Sequence, residues 1–580
     1  MSPLVLGPIL RYVDDHRATV WFETARPATI TVTTSVGVTV EDHTWGLYDH
    51  HYALLVLEGL PADTAIEYGV TVTPDPTDPT DPVDPGAGPV DEPVSWPAYG
   101  PPPIFRTTGS ADTPARIAFG SCRRGDDYSP GSLRQIGADA LVGLAWRVQL
   151  QQPSERPQLL ALLGDQVYAD NPTAPILHRL RMRRAAGIGP TDAEVIDEIC
   201  DFEEYTWLYH QSWSEPAVRE LFAVVPTCMI LDDHDLRDDW NSSAQWRAAV
   251  TATHWFRDRV IGAMSSYWVY QHLGNLSPEA LARDTMYAAI RKATSDTRRE
   301  LLLADFVVRA DAEPSSARWS FTRDIGSTRL IMIDSRCSRS LEPGNRAVVD
   351  SREWEWVREQ VFTDPPETVL FGTSLPVLML PALHHLEQWN EATAEGAWGQ
   401  RWSPLAERIR LAVDLEHWAA FAASFRAMMD LAREIVGRPD APRRVLWLSG
   451  DVHCSYVARA DIAGRSMYQL TMSPFRNPLE LPIRIVNRIA GRPSVIRWAR
   501  ALARRAGVRE SGVDWSVTDG PWFDNGVMIL TVPDGPGAEL AVEVAHATSS
   551  GDNVASQRLS TTAVLPLPVH PAQSAHVVSR

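Results

Sequence analysis

Lysine is almost missing from this chain of 580 residues: Lys292 is the only one, so the basic charge is nearly all arginine. That leaves little room for Schiff-base chemistry. Cysteine is scarce as well, with five residues (Cys122, Cys200, Cys228, Cys337 and Cys454), scattered and odd in number. A disulfide framework is excluded, and the pattern suits a reducing compartment. No apolar run approaches the roughly 18 residues that a membrane span needs; stretches such as Phe222–Leu231 end sooner. The N-terminus lacks a basic segment followed by an apolar core and cleavage site, and it lacks a twin-arginine motif, so the expected location is cytoplasmic. A net charge of −19 argues against nucleic acid as a stable partner. What remains is a globular composition, 44% hydrophobic and 22% charged. Its length allows several domains or one large domain with insertions.

Residues 1–108 read as a β-sandwich domain. Alternating or β-branched runs recur at Ile9–Val13, Thr19–Thr24, Thr29–Thr34, Val36–Val40, Tyr52–Leu57, Ile66–Val72 and Ile104–Thr107. Leu60, Pro61, Thr64 and Tyr68 resemble the tyrosine corner of a fibronectin type III domain. The Asp/Pro-rich stretch 74–103 is expected to be an extended loop inside the domain's final hairpin.

From residue 109 to 548 the pattern is that of one α/β domain with helical insertions. Short, largely apolar runs each end in a polar cluster: ARIAFG before SCRRG, LLALLG before DQVYAD, CMIL before DDHD, RLIMI before DSR, ETVLFG before TSLP, and RRVLWLSG before DVHC. Strands apolar on both faces imply a covered sheet, and polar residues just past their ends imply a site at its carboxyl edge. Helical stretches are expected at Asp192–Phe222, Ser243–Leu273 and Ala406–Ile435, and residues 549–580 are expected to form a C-terminal tail.

The strand ends gather Cys122, Asp165, Tyr168, Asp232, Asp233, His234, Asp235, Asp238, Asp239, Asp451 and His453. Buried carboxylates in that number repel and protonate unless cations neutralise them. Strand–GDxxY, strand–DDHD and strand–GDxH in that order match the way a two-metal centre is built, with one aspartate bridging ions about 3.5–4 Å apart.

GSC at Gly120–Cys122, GDQVYAD at Gly164–Asp170, DDHDLRDDW at Asp232–Trp240 and SGDVH at Ser449–His453 resemble the PhoD-like alkaline phosphatase family, a branch of the calcineurin-like metallophosphoesterases. WFDN at Trp522–Asn525 and the fibronectin-like N-terminal domain fit the same resemblance. It implies an αββα sandwich with a bimetal centre, loaded with Fe³⁺ and Ca²⁺ as in secreted members; Mn²⁺ or Zn²⁺ are the alternatives. Ordinary relatives of the superfamily carry DxH and GDxxD, so Cys122 and Tyr168 would stand in for His and Asp. A thiolate and a phenolate make a good donor set for Fe³⁺.

On that match Asp165 would bridge both ions, Cys122, Tyr168 and His453 would serve the iron, and Asp233, Asp238 and Asp451 would serve the harder ion. His234 is the candidate general acid, the alternative being a histidine that only caps its loop. Asp238 stands where relatives commonly have asparagine; its extra charge would repel a phosphate and favour diesters. Cys122 lacks the loop of a cysteine phosphatase, and Cys454 reads as a small buried residue. His384, His385, Glu387 and Trp389 fit either a surface helix or a wall facing substrate.

The expected activity is therefore metal-dependent hydrolysis of phosphate mono- or diesters by an activated water. The competing class is a non-catalytic metal-bound scaffold of the same fold. One segment stands apart: residues 484–510 hold eight arginines against Glu510, a net charge of +7. A basic amphipathic helix is expected after Pro493. It either packs its apolar stripe on the domain or makes weak peripheral contact with an anionic membrane.

Overall fold

The computed structural model describes residues 3–76, 94–97, 101–109, 114–342, 344–479, 481–535, 539–551 and 553–569. The largely apolar strands Ala115–Gly120, Leu159–Leu163 and Thr227–Ile230 lie parallel, side by side. Gly526–Val532, Leu540–Ser549 and Gln557–Leu567 extend that sheet in antiparallel fashion. A second sheet has Thr328–Met332, Thr368–Gly372, Arg444–Ser449 and Arg465–Thr471 parallel at its centre. Phe321–Ile325 flanks it on one side, and Ser455–Ile462 and Trp515–Trp522 on the other.

The two sheets face each other across one apolar layer in which Phe119, Leu163 and Ile230 meet Met332, Leu370 and Leu448. Helices including Ala140–Leu150 and Pro216–Val224 cover the outer face of the first sheet, and Ser351–Phe362 and Ala422–Gly437 that of the second. This is the expected αββα sandwich. Burial on both faces explains why the strands show no alternation, and each fully buried Leu, Ile or Phe contributes roughly 1.5–3 kcal/mol.

The long helices predicted from sequence are broken. Asp192–Phe222 yields Phe202–Trp213 and Pro216–Val224, since Pro216 can open a helix but not continue one. Ser243–Leu273 yields Ala244–Thr251, Phe256–Ser266 and a π-helical turn at Tyr267–His272. Ala406–Ile435 yields Ser403–Ala412 and Ala422–Gly437, and the break between them holds Glu416 and His417. The tail expected from residue 549 is partly strand: Gln557–Leu567 forms the edge of the first sheet.

The N-terminal sandwich pairs Leu4–Val13, Arg17–Thr24, His50–Glu58 and Trp45–Leu47 in one sheet. Ala28–Thr34, Thr39–His43 and Ala65–Pro74 pair in the other. Two short strands, Val94–Trp96 and Ile104–Arg106, both pair with Ala65–Pro74; the first lies inside the stretch read as loop, most of which falls outside the described residues.

Arg17–Thr24 is buried on both faces because its outer side meets the α/β part: Trp21 packs 5.3 Å from Tyr270, and Trp45 lies 6.2 Å from Trp268. Tyr68 makes no tyrosine corner. Its hydroxyl donates 2.7 Å to the Ala223 carbonyl, 155 residues away, because the ring is sealed under the neighbouring helix rather than at a free domain end.

The basic segment forms two helices, Leu481–Ala490 and Pro493–Arg505. The small residues Ala499 and Ala503 are the buried ones in the second helix, and Ala490 and Ala499 pack with Ala382 of helix Pro381–Ala394. Small side chains allow that close approach, so the bulky Trp498, expected on the packed stripe, is left 58% exposed.

Candidate metal centre and active site

Every motif loop starts at the carboxyl end of a strand, and five non-glycine residues of these loops sit in the left-handed backbone region. These are Cys122 (φ 55°), Asp165 (50°), Asp239 (67°), Asp451 (61°) and His453 (47°). A non-glycine residue held there costs of order 1–3 kcal/mol, a strain that clusters at functional sites. The loops are also pressed together: a Cβ at Gly164 would meet Asp232 Cβ at 2.8 Å, and one at Gly450 would overlap Ser121 Oγ. Asp235 clamps two of them, its Oδ1 accepting from the Gln166 and Val167 amides at 3.0 and 3.1 Å and its Oδ2 from Asp232 N at 3.0 Å. It serves the backbone and is not a free donor.

Asp165 is completely buried at the centre. Ligand atoms of Cys122, Asp165 and His453 lie within 4.8 Å of one another, and so do those of Asp165, Asp232 and Asp233. Tyr168 Oη donates to Asp165 Oδ2 at 3.3 Å and accepts from Asn477 Nδ2 at 2.9 Å. Asn477 also takes the proton of His453 Nδ1 through its carbonyl at 2.7 Å, which leaves Nε2 as the free donor atom. Burial holds His453 neutral, its pKa lowered to about 4. Around Cys122 Sγ stand the hydroxyls of Ser121 and Ser473, at 3.2 and 3.3 Å.

Burial pushes the Asp165 carboxyl well above the ordinary range, and the charges of Asp232 and Asp451 add to this against the pull of His234. Burial does the same for Asp233 and Asp451, and for the Cys122 thiol, where Asp165 and Asp451 reinforce it. Asp165 Oδ1 and Asp232 Oδ2 are buried oxygens without a hydrogen-bond partner. Orphaned oxygens, a thiol, a phenol and an imidazole converging on one carboxylate fit cations.

Of the residues anticipated from sequence, Cys122, Asp165, Tyr168, His453 and Asp233 come together. Asp451 borders them, its carboxylate turned to Arg336 at 3.9 Å. Asp238 does not join: it is exposed, and only its backbone amide is engaged, donating to Asp170 at 2.8 Å. The turn after Asp233–Asp235 carries its side chain outward, and Asp232 occupies the inner place. His234 Nδ1 is 2.8 Å from Asp170 Oδ2. Burial opposes its charge, but Asp170, Asp165 and Asp233 outweigh it and raise the imidazole pKa well above its usual value.

Four residues were not singled out from sequence. Arg336, fully buried, bonds Asp232 and Glu416, the second of the four, and lies 3.1 Å from Asp233. His417 pairs with Glu387 at 2.7 Å; burial opposes its charge, yet Glu387 and Asp451 raise it to about 9. Asn477 is the fourth. The DSR after a strand was the only signal for Arg336, and no motif marked Glu416 or His417. Helix Pro381–Ala394 is neither a surface helix nor a wall over the site: His384 packs between Phe425 and Trp515, each 4.5 Å away, and only Glu387 reaches the site, through His417. Cys454 is buried beside Tyr456 and Phe523. Asn525 of WFDN serves the backbone, donating to the carbonyls of Ile136 and Ala138 at 2.7 and 2.8 Å.

Such donors at the carboxyl edge of an αββα sandwich form a candidate metal centre. A family model described as "PhoD-like phosphatase" matches residues 144–476, more than half of the chain. The chain belongs to the PhoD-like phosphatase family and is a phosphoric ester hydrolase; the scaffold alternative falls with that. A second model, "Domain of unknown function (DUF7800)", matches residues 1–83. Among solved structures, one described as "Structure of PhoD" is similar with a TM-score of 0.57 at 10% identity, over 99% of this chain and 93% of that one. A purple acid phosphatase from yellow lupin (Lupinus luteus) seeds aligns over 95% of this chain and 73% of its own, at 10% identity and a TM-score of 0.46. No curated protein matches the sequence. No helix among the described residues is long and apolar enough to cross a membrane.

Proposed function

We propose that the chain hydrolyses small phosphate esters at a two-metal centre, diesters in preference to monoesters. Cys122, Asp165, Tyr168 and His453 would hold one ion, and Asp165, Asp232, Asp233 and Asp451 the other. The observation that carries this is Asp165, a buried carboxylate common to both donor groups with one oxygen unpartnered. Bound there, the ions supply Lewis-acid polarisation of the phosphoryl oxygens and a water of lowered pKa. Arg336 bonds Asp232 and Glu416 and holds Asp233 by charge from 3.1 Å away. His234, oriented by Asp170, offers its other nitrogen as the proton donor to the leaving oxygen.

Around the mouth, Asp238 is exposed, burial with Asp238 and Glu416 raises Asp414 to about 6, and burial with Glu416 raises Asp239 to about 8. Once ionised, above about pH 8, this acidic rim repels a dianionic monoester more than a monoanionic diester. The test is hydrolysis of p-nitrophenyl phosphate and its bis-ester by metal-replete protein, alongside elemental analysis. We expect the bis-ester to be favoured, and Asp238→Asn to move the ratio several-fold toward the monoester. No turnover of either ester and an empty metal analysis would end the proposal.

Iron is the proposed occupant of the Cys122/Tyr168 side. Phenolate and thiolate on Fe³⁺ should give the concentrated protein a visible charge-transfer band. Tyr168→Phe should shift or weaken it. A colourless protein carrying stoichiometric zinc or manganese would refute iron while leaving hydrolysis intact.

We also infer peripheral contact of the helix pair 481–505 with an anionic membrane. Leu481 is 69% exposed, and Ile483, Ile485, Ile489 and Trp498 are exposed on the same helix pair, among arginines. Arg500 and Arg504 pair with Asp514 and Glu510, Arg484 donates to the Leu479 carbonyl, and Arg484 and Arg488 lie over the Phe523 ring. Each arginine near such a surface contributes roughly 1 kcal/mol. Co-sedimentation with phosphatidylserine vesicles should occur at low salt and fall at high salt. Trp498→Ala with Arg488→Ala and Arg497→Ala should abolish it; wild type staying in the supernatant at low salt overturns the inference.

A further inference from the structure

Glu23 is fully buried where strand Arg17–Thr24 meets helix Phe202–Trp213 and the turn Tyr267–His272. Phosphoester hydrolysis has no use for it there. His50 Nδ1 lies 2.9 Å from its Oε1, and His210 Nε2 lies 2.9 Å from Oε1 and 3.0 Å from Oε2. Tyr270 donates its hydroxyl to Oε2 at 3.0 Å. Ligand atoms of Glu23, His50 and His210 all fall within 4.8 Å of one another. We propose that these three side chains form a zinc-class site, separate from the phosphoesterase centre, that fastens the N-terminal sandwich to the α/β part.

Two imidazoles and one carboxylate are a zinc donor set, with the fourth position open. Tetrahedral ligands at about 2.0–2.1 Å stand about 3.3 Å apart, so the two spacings from Glu23 to the histidines need to open by only a few tenths of an ångström. The far nitrogen of His50 is already held: Nε2 lies 2.8 Å from Glu203 Oε2, and Glu203 is itself oriented by Trp207 Nε1 at 2.7 Å. That carboxylate–histidine arrangement fixes the ring and leaves Nδ1 as the metal-facing atom. Charge agrees as well. With neutral imidazoles, Glu23 leaves one fully buried negative charge and the half-exposed Glu203 a second, and a divalent ion balances them. It would displace the protons that the two histidines otherwise direct at Glu23. The side chains of His50 and His210 keep 16% and 27% exposure, which gives an ion a way in.

The test uses the full chain, stripped with chelator, dialysed against zinc chloride and then against buffer. Wild type should retain one zinc more than the His50→Ala/His210→Ala variant, and the variant should keep its phosphoesterase activity. Equal zinc contents overturn the proposal. Should the variant not fold, crystals of the wild type grown with zinc decide it by anomalous diffraction at the zinc edge. A peak between Glu23, His50 and His210 is expected, and a flat map there overturns the site whatever the catalytic centre holds.

Discussion

Asp165→Asn should abolish turnover, with kcat/KM falling on the order of a thousandfold or more. If Asp165 holds both ions as proposed, its loss would remove several kcal/mol of stabilisation from the reacting phosphoryl group, and each 1.36 kcal/mol is tenfold in rate. Asparagine is the informative replacement because Asp165 sits at φ 50°, a conformation asparagine tolerates and alanine does not. The amide matches the carboxylate in shape, so the Tyr168 and Cys122 contacts at 3.3 Å lose charge but not packing. Both metal equivalents should drop in elemental analysis while circular dichroism stays native. A folded variant with wild-type rate and metal content would remove Asp165 from the centre, and the two-metal proposal with it.

The second large effect is selective. His234→Gln should slow alkyl phosphoesters by about 10²–10⁴-fold, the usual contribution of a positioned general acid. It should leave p-nitrophenyl esters nearly untouched, because that phenolate departs without a proton. Asp170→Asn should give the same pattern in weaker form, since Asp170 acts by holding His234 Nδ1 at 2.8 Å and keeping the ring charged. Equal losses on both leaving groups would mean that His234 binds or braces rather than donating a proton.

Some of this was legible in the chain itself. Largely apolar runs ending in GSC, GDQVYAD, DDHD and SGDVH name the strands, the covered sheet and the edge where the chemistry sits. A parallel strand buried on both faces has nowhere else to put its polar residues. Cys122, Asp165, Tyr168, Asp233 and His453 could be placed together on that ground. The choice between Asp232 and Asp238 could not, because it depends on which way a short turn faces. In the folded chain Asp232 is fully buried against Gly164 and Arg336, while Asp238 points to solvent.

The rest was decided by contacts between distant segments. Arg336 comes from the other sheet, Glu416 and His417 from a break between two helices read as one, and Asn477 from the loop beyond a later strand. Tyr68 bonds Ala223 rather than its own domain, and Glu23 meets His210 across 187 residues. Periodicity and motif spacing report what each segment buries and where it ends. Which buried charge finds which partner is settled when sheets and helices close on one another, since a carboxylate taken out of water must find its cation or donor in whatever segment packs against it.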